Sequence, residues 1–518
     1  MLFNSYLFLL LFLPLSFLIC FVSARLGGRA LYIWALFSAS LIFYGWWHPP
    51  YVLLLLFSIV VNYALARLLD HGTLRNKRTL LIGLTFNLGL LGYFKYAGFL
   101  AENMLQKLNV SVDASSILLP IGISFFTFQQ IAYLIDVYRG IKTRYSFSEY
   151  GLFVSFFPQL IAGPIVHHRE MMPQFLTLNW KGAGLRAAIG LSLIIFGLFK
   201  KVILADNIAE YSTPVFEMAD SGVPITLLPA WIGALGFSLQ IYFDFSGYTD
   251  IALGLGTLYG IKLPINFFSP YKADSIIDFW RRWHISLSRF LKDYLYIPLG
   301  GNRRRQFVNI GITMLLGGLW HGAAWTFVAW GGLHGIFLVI NHTWRKLWRS
   351  NAHFGFGSWF MTAIAVIFAW VPFRAETFQG SWDMWRGMLG FNGVLLPESY
   401  RHWLPDTPLT QWFLSLQMDT REFLRESAYN ENLSYINNFD YAKEFVLLLF
   451  IVLYLPNTMQ IFSRYSPFLS QRGLLESTHT QPIFLWKPNL VWGVITSIAA
   501  CMVLYSLNNV SEFLYFNF

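Results

Sequence analysis

Charge is scarce in this sequence. Asp, Glu, Lys and Arg make up 12% of its 518 residues, about half the share of an ordinary soluble domain. Aromatic residues reach 19% and hydrophobic residues 56%. A single soluble core cannot hide that much apolar surface, so the bilayer is the main solvent. Cysteine is nearly absent. Cys20 and Cys501 both sit inside apolar segments, which excludes a disulfide framework and leaves packing as their role. Positive charge ahead of the first apolar run is missing as well. In MLFNSYLFLLLFLPLSFLICFVSARLGGRA, Arg25 and Arg29 come only after that run. A secretory leader carries its charge first, so this segment reads as a retained first span with its N-terminus outside.

Several signatures of soluble catalysis are also missing. There is no GxSxG nucleophile elbow and no GxxxxGK(S/T) phosphate loop. No HxxxxD pattern follows the central histidines: His284 precedes ISLSR and His321 precedes GAAWT. No internal repeat suggests an inverted-repeat transporter. The net charge of +10 would point to nucleic acid in a soluble protein. Here the basic residues lie in short loops between apolar runs, so membrane orientation accounts for them and no nucleic-acid partner is expected.

What the sequence does contain is a series of apolar runs of spanning length. They lie near 3–24, 30–47, 51–69, 79–100, 115–137, 149–166, 183–204, 224–243, 308–340, 356–372, 444–460 and 489–508. The early connections alternate in charge. Arg25 and Arg29 make the first basic, and His48-Pro49-Pro50 carries no Lys or Arg. Arg75, Lys77 and Arg78 are basic again, AENMLQKLNVSVDA is nearly neutral, and YRGIKTR is basic. That alternation predicts cytoplasmic basic loops. Residues 244–304 mix aromatics, prolines and charges. Such backbone survives at membrane depth only inside protein or along a cavity. Re-entrant and interfacial helices are therefore expected there, ending in a cytoplasmic turn at Arg303, Arg304 and Arg305. One membrane domain, 1–518, is the simplest reading. It comprises N-terminal spans over 1–243, a core over 244–342, a polar connection over 373–442 and C-terminal spans over 443–518.

In DSIIDFWRRWHISLSRFL, Ile276, Trp280, Trp283, Leu287 and Leu291 recur at helical spacing as an apolar stripe. Arg281, His284 and Ser288 fall on a neighbouring face and are candidates to line a polar pocket. The plainer reading is an interfacial helix whose arginines meet headgroups and Asp278. In TMLLGGLWHGAAWTFVAWGGLHG, His321 lies among Gly317, Gly318, Gly322, Ala323 and Ala324. Small side chains permit close helix approach and leave room for a thin acyl arm. An ionisable residue at this depth is a functional candidate. Burial favours the neutral imidazole, which accepts a proton from an attacking hydroxyl. The alternative is a structural histidine bonded to a carbonyl, the reading given to His334.

In DFSGYTD, Asp244, Ser246, Tyr248 and Asp250 follow an apolar run, and Gly247 suits a helix break. Asp244 would orient a histidine or anchor an arginine, or the group is a structural knot. Asn266 carries the same two readings. Asn302 heads the turn Arg303 to Arg305, which faces headgroups or the phosphates of a donor. Adjacent His167 and His168 do not face one way on a helix, so no metal site is expected.

LPIGISFFTFQQIAYLIDVYRG, FPQLIAGPI, YFDFSGYTDIALGLG, FWRRWHISLSRFLKDYLYIPLGGNR and TMLLGGLWHGAAWTFVAWGGLHG together resemble the membrane-bound O-acyltransferase (MBOAT) family, in its alginate O-acetyltransferase branch. The likeness covers most of 1–375, weakens beyond, and includes the terminal FLYFNF. Phe290 and Lys292 stand where relatives often have Trp and Arg. The resemblance implies an all-α integral membrane protein, an MBOAT-type ring of about 11 or more spans with re-entrant helices around a central tunnel. It implies His321 as the catalytic residue and His284 as a second signature residue toward the donor funnel. Asp244, Ser246, Tyr248, Asn266, Trp280, Arg281, Ser288 and Asn302 are then candidates along the substrate path. It further implies an acetyl donor from the cytoplasm, acetyl-CoA, with no permanently bound cofactor. The acceptor would be an exported polysaccharide outside a bacterial inner membrane. A separate extracytoplasmic partner of the serine-hydrolase-like (SGNH) type is expected, because this chain has no GDS motif. D-alanyl transfer to teichoic acid is the nearest alternative. A polysaccharide flippase using Asp244, His284 and His321 as a substrate path, or an assembly scaffold, are alternatives of other classes.

Overall fold

Apolar chain in lipid must satisfy its own backbone hydrogen bonds, which leaves the helix as the default for these runs. The computed structural model describes residues 1–71, 76–101, 103, 118–141, 145–178, 182–347, 355–394, 405–408, 411, 440–469, 484–507 and 513–514. Among them the regular elements are helices, and the one strand-like contact is an isolated bridge between Pro264 and Leu469. Among the described residues, five helical stretches are long and apolar enough to cross a membrane: Leu7–Gly45, Pro50–Asp70, Lys77–Leu100, Ala183–Asp220 and Phe356–Arg374. A shorter apolar helix spans Leu490–Ser506. The protein is an all-α, multi-pass membrane protein.

The first stretch is bent at Gly28, where φ is 63° and ψ is −152°. Only glycine tolerates that conformation at low cost. The break falls between the runs expected near 3–24 and 30–47. Two other expectations are corrected. The run near 149–166 is not a lipid-facing span. It folds as Phe147–Ser155 and Phe157–Leu160, followed by irregular chain, and it is buried throughout. Pro158 and the Gly163-Pro164 pair prevent one continuous helix. Conversely, the run near 224–243 does not stop at the polar DFSGYTD segment. Helix Leu227–Leu258 passes straight through Gly247 and is almost wholly buried from Pro229 onward.

The reason lies in how this central helix packs on helix Ala183–Phe199. A Cβ on Gly197 would lie 2.5 Å from the carbonyl oxygen of Gly247, and one on Gly190 would lie 2.7 Å from that of Gly254. The contacts are reciprocal: a Cβ on Gly254 would meet Gly190 O at 2.6 Å. Two glycines seven residues apart on each antiparallel helix thus bring backbone onto backbone. Gly247 is a contact point, not a break. Gly254→Val is expected to destabilise the protein by at least the roughly 1–3 kcal/mol of an overpacked core. The measurement is the melting temperature of the detergent-purified protein by fluorescence-detected size exclusion. An unchanged melt would mean the helices can part without cost.

π-helical turns, which widen a helix and free carbonyls, recur at Gly92–Tyr96, Lys200–Ala205 and Lys292–Tyr296. Each carries polar side chains into the interior: Lys95 and Tyr96, Lys200 and Lys201, and Tyr294 respectively. Within 373–442, helix Phe378–Met388 is amphipathic, burying Asp383 and Met384 and exposing Phe378 and Trp382. Most of that connection lies outside the described residues. Cys20 is buried, whereas Cys501 is exposed, so only Cys20 is a packing residue.

Candidate active site

Helix Gln306–His321 runs from the basic turn and ends at its histidine, where Gly322 adopts extended backbone and the chain reverses into helix Trp325–Leu347. At 1.5 Å per residue, sixteen residues carry His321 about 24 Å from the start of this helix. Close packing makes the hairpin possible. A Cβ on Gly318 would lie 2.2 Å from Phe327 O, and one on Gly331 would lie 2.3 Å from Met314 O. A Cβ on Gly322 would strike the Phe327 ring at 2.1 Å. The small residues around His321 therefore serve helix approach.

His321 is buried, and its ring faces Trp330 at 5.1 Å and Phe373 at 5.3 Å between centroids. His284 comes to it from the other direction, with 6.2 Å between the two imidazoles. His284 is fully buried and has φ 42°, ψ 53°, the left-handed region, between helices Ile276–Arg282 and Ile285–Leu291. A non-glycine residue there stores strain and merits a functional reading. Ile285 N–H donates to Asn266 O, and Ser286 donates through its hydroxyl to Asn266 Oδ1 at 2.6 Å, which pins the break.

The two histidines share a cavity of roughly 340 Å³, counting its open mouth, with Ile241, Asp244, Phe245, Trp283, Trp330, Trp370, Phe373 and Leu514. Its walls are mainly aromatic. The indole N–H of Trp330 is buried and has no acceptor among the described residues. A second cavity, about 250 Å³ counting its open mouth, lies against Tyr242, Ser246, Thr249 and Asp250 of the central helix. It is closed by Lys200, Asn266, Phe267 and the Asn457 to Met459 segment. Here the Ser246 hydroxyl and the Asn266 amide nitrogen are buried without partners among the described residues.

The remaining candidates separate. Asp244 lines the His321 cavity but is tied to Lys201 at 2.7 Å and accepts from Leu514 N–H. Its partner is thus a lysine, where a histidine or arginine was expected. Tyr248 is buried between Phe3 and Phe513 and lines neither cavity. Trp280 donates to His334 Nδ1 at 3.3 Å, behind the cavity wall. Arg281 and Asn302 are exposed, and Ser288 donates to Trp280 O. The expected face of Arg281, His284 and Ser288 does not form, because helical spacing cannot be carried across the left-handed residue at 284. Asp278 does pair with an arginine, Arg282, at 2.8 Å. His168 donates through Nε2 to Asp136 Oδ2, 3.0 Å away. Among the described residues no three His, Cys, Asp or Glu side chains gather as a metal site.

Sequence reasoning missed the lysines. Lys200 pairs with Asp250 at 2.6 Å, and Lys201 pairs with Asp244 and Asp206. Lys95 and Tyr96 reach the end of the His321 helix: Tyr96 OH donates to Leu319 O, and Lys95 Nζ donates to Trp320 O and His321 O. The signal was present, since a lysine inside an apolar run needs a buried partner.

These features define an integral membrane protein with a buried cavity shared by two histidines. The chain belongs to the membrane-bound O-acyltransferase family, whose sequence pattern matches residues 72–381, and it is a membrane-bound acyltransferase. It is 45% identical over 433 residues to the peptidoglycan O-acetyltransferase of Helicobacter pylori, covering 76% of this chain and 81% of the relative. It is 40% identical over 416 residues to a protein of Pseudomonas aeruginosa named probable alginate O-acetylase AlgI, 77% of each chain. A teichoic acid D-alanyltransferase of Streptococcus thermophilus is 30% identical over 256 residues, 47% of this chain and 62% of the relative.

Proposed function

We propose that this acyltransferase takes acetyl groups from acetyl-CoA in the cytoplasm and passes them across the bacterial inner membrane. They serve to O-acetylate an exported polysaccharide, through a separate extracytoplasmic partner of the SGNH type. The observation that carries the reading is the convergence of His321 and His284 in one buried aromatic cavity. Aromatic walls exclude water, which would otherwise hydrolyse a thioester. A neutral His321 imidazole takes the proton of an arriving hydroxyl as its oxygen bonds the acetyl carbon. The carbon–sulfur bond then breaks, and the proton passes to the departing thiolate. Trp330 N–H, without an acceptor among the described residues, is a donor beside His321 for the developing oxyanion. In the second cavity, the Ser246 hydroxyl and Asn266 amide suit the amide-bearing arm of the donor. The basic residues Lys77, Arg78 and Arg303 to Arg305 support cytoplasmic placement of their turns, with the N-terminus outside.

The direct test supplies radiolabelled acetyl-CoA to proteoliposomes holding the purified protein, with an SGNH-type partner on the far side as the hydroxyl-bearing acceptor. Acetyl label on the acceptor, absent from protein-free vesicles, is the expected result. The D-alanyltransferase likeness supplies the competing outcome: no acetyl label, but transfer of an aminoacyl group from a carrier-protein thioester. That result would overturn the acetyl-CoA reading while leaving acyl transfer intact.

A further inference from the structure

Helices end with unsatisfied carbonyls, and a helix ending in a buried protein interior has no water to satisfy them. Helix Gln306–His321 ends in this way, and Gly322 departs at once into extended backbone, so no further turn supplies donors. The donors come from a different span. Tyr96 OH lies 2.9 Å from Leu319 O. The Lys95 ammonium lies 2.6 Å from Trp320 O and 2.9 Å from His321 O. It also sits 5.9 Å from the centre of the Trp320 ring, within reach of a cation–π attraction. Its charge complements the negative end of the helix dipole.

Lys95 itself does not line the histidine cavity. What it holds is the backbone that sets the imidazole in place. Two covalent bonds separate the gripped His321 carbonyl from the Cα that carries the ring. The ring in turn stands 6.2 Å from His284. The π-helical turn at Gly92–Tyr96 gives two consecutive residues, Lys95 and Tyr96, reach to three consecutive carbonyls. Trp320 is pinned by the same contact; it stacks on Phe128 and stands 6.2 Å from the His284 ring between centroids. A lysine merely accommodated near an interface would extend its ammonium toward water. This one turns inward, onto the last carbonyls of the helix that bears the proposed base.

We propose that Lys95 is a positioning residue for His321: its ammonium clamps the end of the catalytic helix so that the imidazole is held at reacting geometry. The proposal rests on His321 being the base. An imidazole displaced by about 1 Å loses of the order of 10²-fold in rate, while the donor still binds. In the full-length protein in proteoliposomes, Lys95→Met is expected to lower kcat about 30–100-fold and to leave KM within about 3-fold. Lys95→Arg, which keeps charge and donors, is expected to recover activity to within about tenfold of the parent. Lys95→Gln, which keeps a neutral donor, is measured alongside, so the outcome does not depend on the methionine variant folding; its kcat is expected to lie between those of the Arg and Met variants. A Met or Gln variant with parental kcat, or a loss carried wholly by KM, overturns the proposal. His321→Ala is assayed in the same series. If that variant is fully active, the active-site reading fails, whatever Lys95 does; if it is inactive while Lys95→Met is unimpaired, the clamp alone fails.

Discussion

Replacing His321 by alanine is expected to lower acyl transfer by about 10²–10⁴-fold, the usual contribution of a positioned general base, and to leave a folded protein. The asymmetry follows from the surroundings of the ring. His321 closes a cavity whose other walls are held independently. Trp330 stacks on Trp370, Trp370 packs on Trp283, and Phe373 packs on Phe327. The hairpin beneath is fixed by Gly318 and Gly331, which a change at 321 does not touch. Alanine therefore removes a proton acceptor from a standing cavity. His334 supplies the internal control. It is equally buried, but it takes a hydrogen bond from Trp280 and does not line the cavity. His334→Gln should therefore cost far less turnover than the alanine change at 321. Polymer acetylation in cells, normalised to the amount of monodisperse protein recovered in detergent, reads both variants. Parental acetylation by the His321→Ala protein would remove the base from the mechanism.

The two histidines were legible because an ionisable residue inside an apolar run is conspicuous in one dimension. The geometry joining them was not. The segment around His284 has an unbroken helical pattern from Ile276 to Leu291, yet the backbone turns left-handed at 284. That conformation is imposed by Asn266, whose backbone and side chain engage residues 285 and 286. A contact twenty residues away leaves no trace in local periodicity. Gly247 misled for a related reason: a glycine marks either a break or a close approach. Only the facing Gly197 decides between them. The lining residues Trp370 and Phe373 come from the distant helix Phe356–Arg374, which is apolar nearly all round, so no stripe marks a cavity face, and Leu514 comes from the far end of the sequence. The break at Gly28, by contrast, follows from punctuation that can be read directly, whereas 308–340 reads as one apolar run and the structure splits it after His321 into two packed helices.

The lysine adjoining the central helix carries the other large effect. Lys201 is 2% exposed and Asp244 is 3% exposed, and they meet at 2.7 Å. Lys201 also holds Asp206 at 2.9 Å. Lys201→Met would leave Asp244 a buried carboxylate with a second carboxylate nearby and no counter-charge. Removing one member of a buried pair typically costs about 3–5 kcal/mol. The fault would lie at the active cavity, because Asp244 lines it and accepts the Leu514 amide. The expected result is a lower melting temperature and a smaller monodisperse fraction, with transfer activity lost from what remains. Replacing both charges tests the cause. The double variant Lys201→Met with Asp244→Asn removes the stranded charge, so it should melt above the single lysine variant. Its activity should stay low, since the cavity has lost both the Lys201–Asp244 pair and the carboxylate that accepts the Leu514 amide. Were the single variant to melt like the parent, or the double variant to melt no higher than the single, the ion pair would not be what holds the central helix against the helix that carries Lys201.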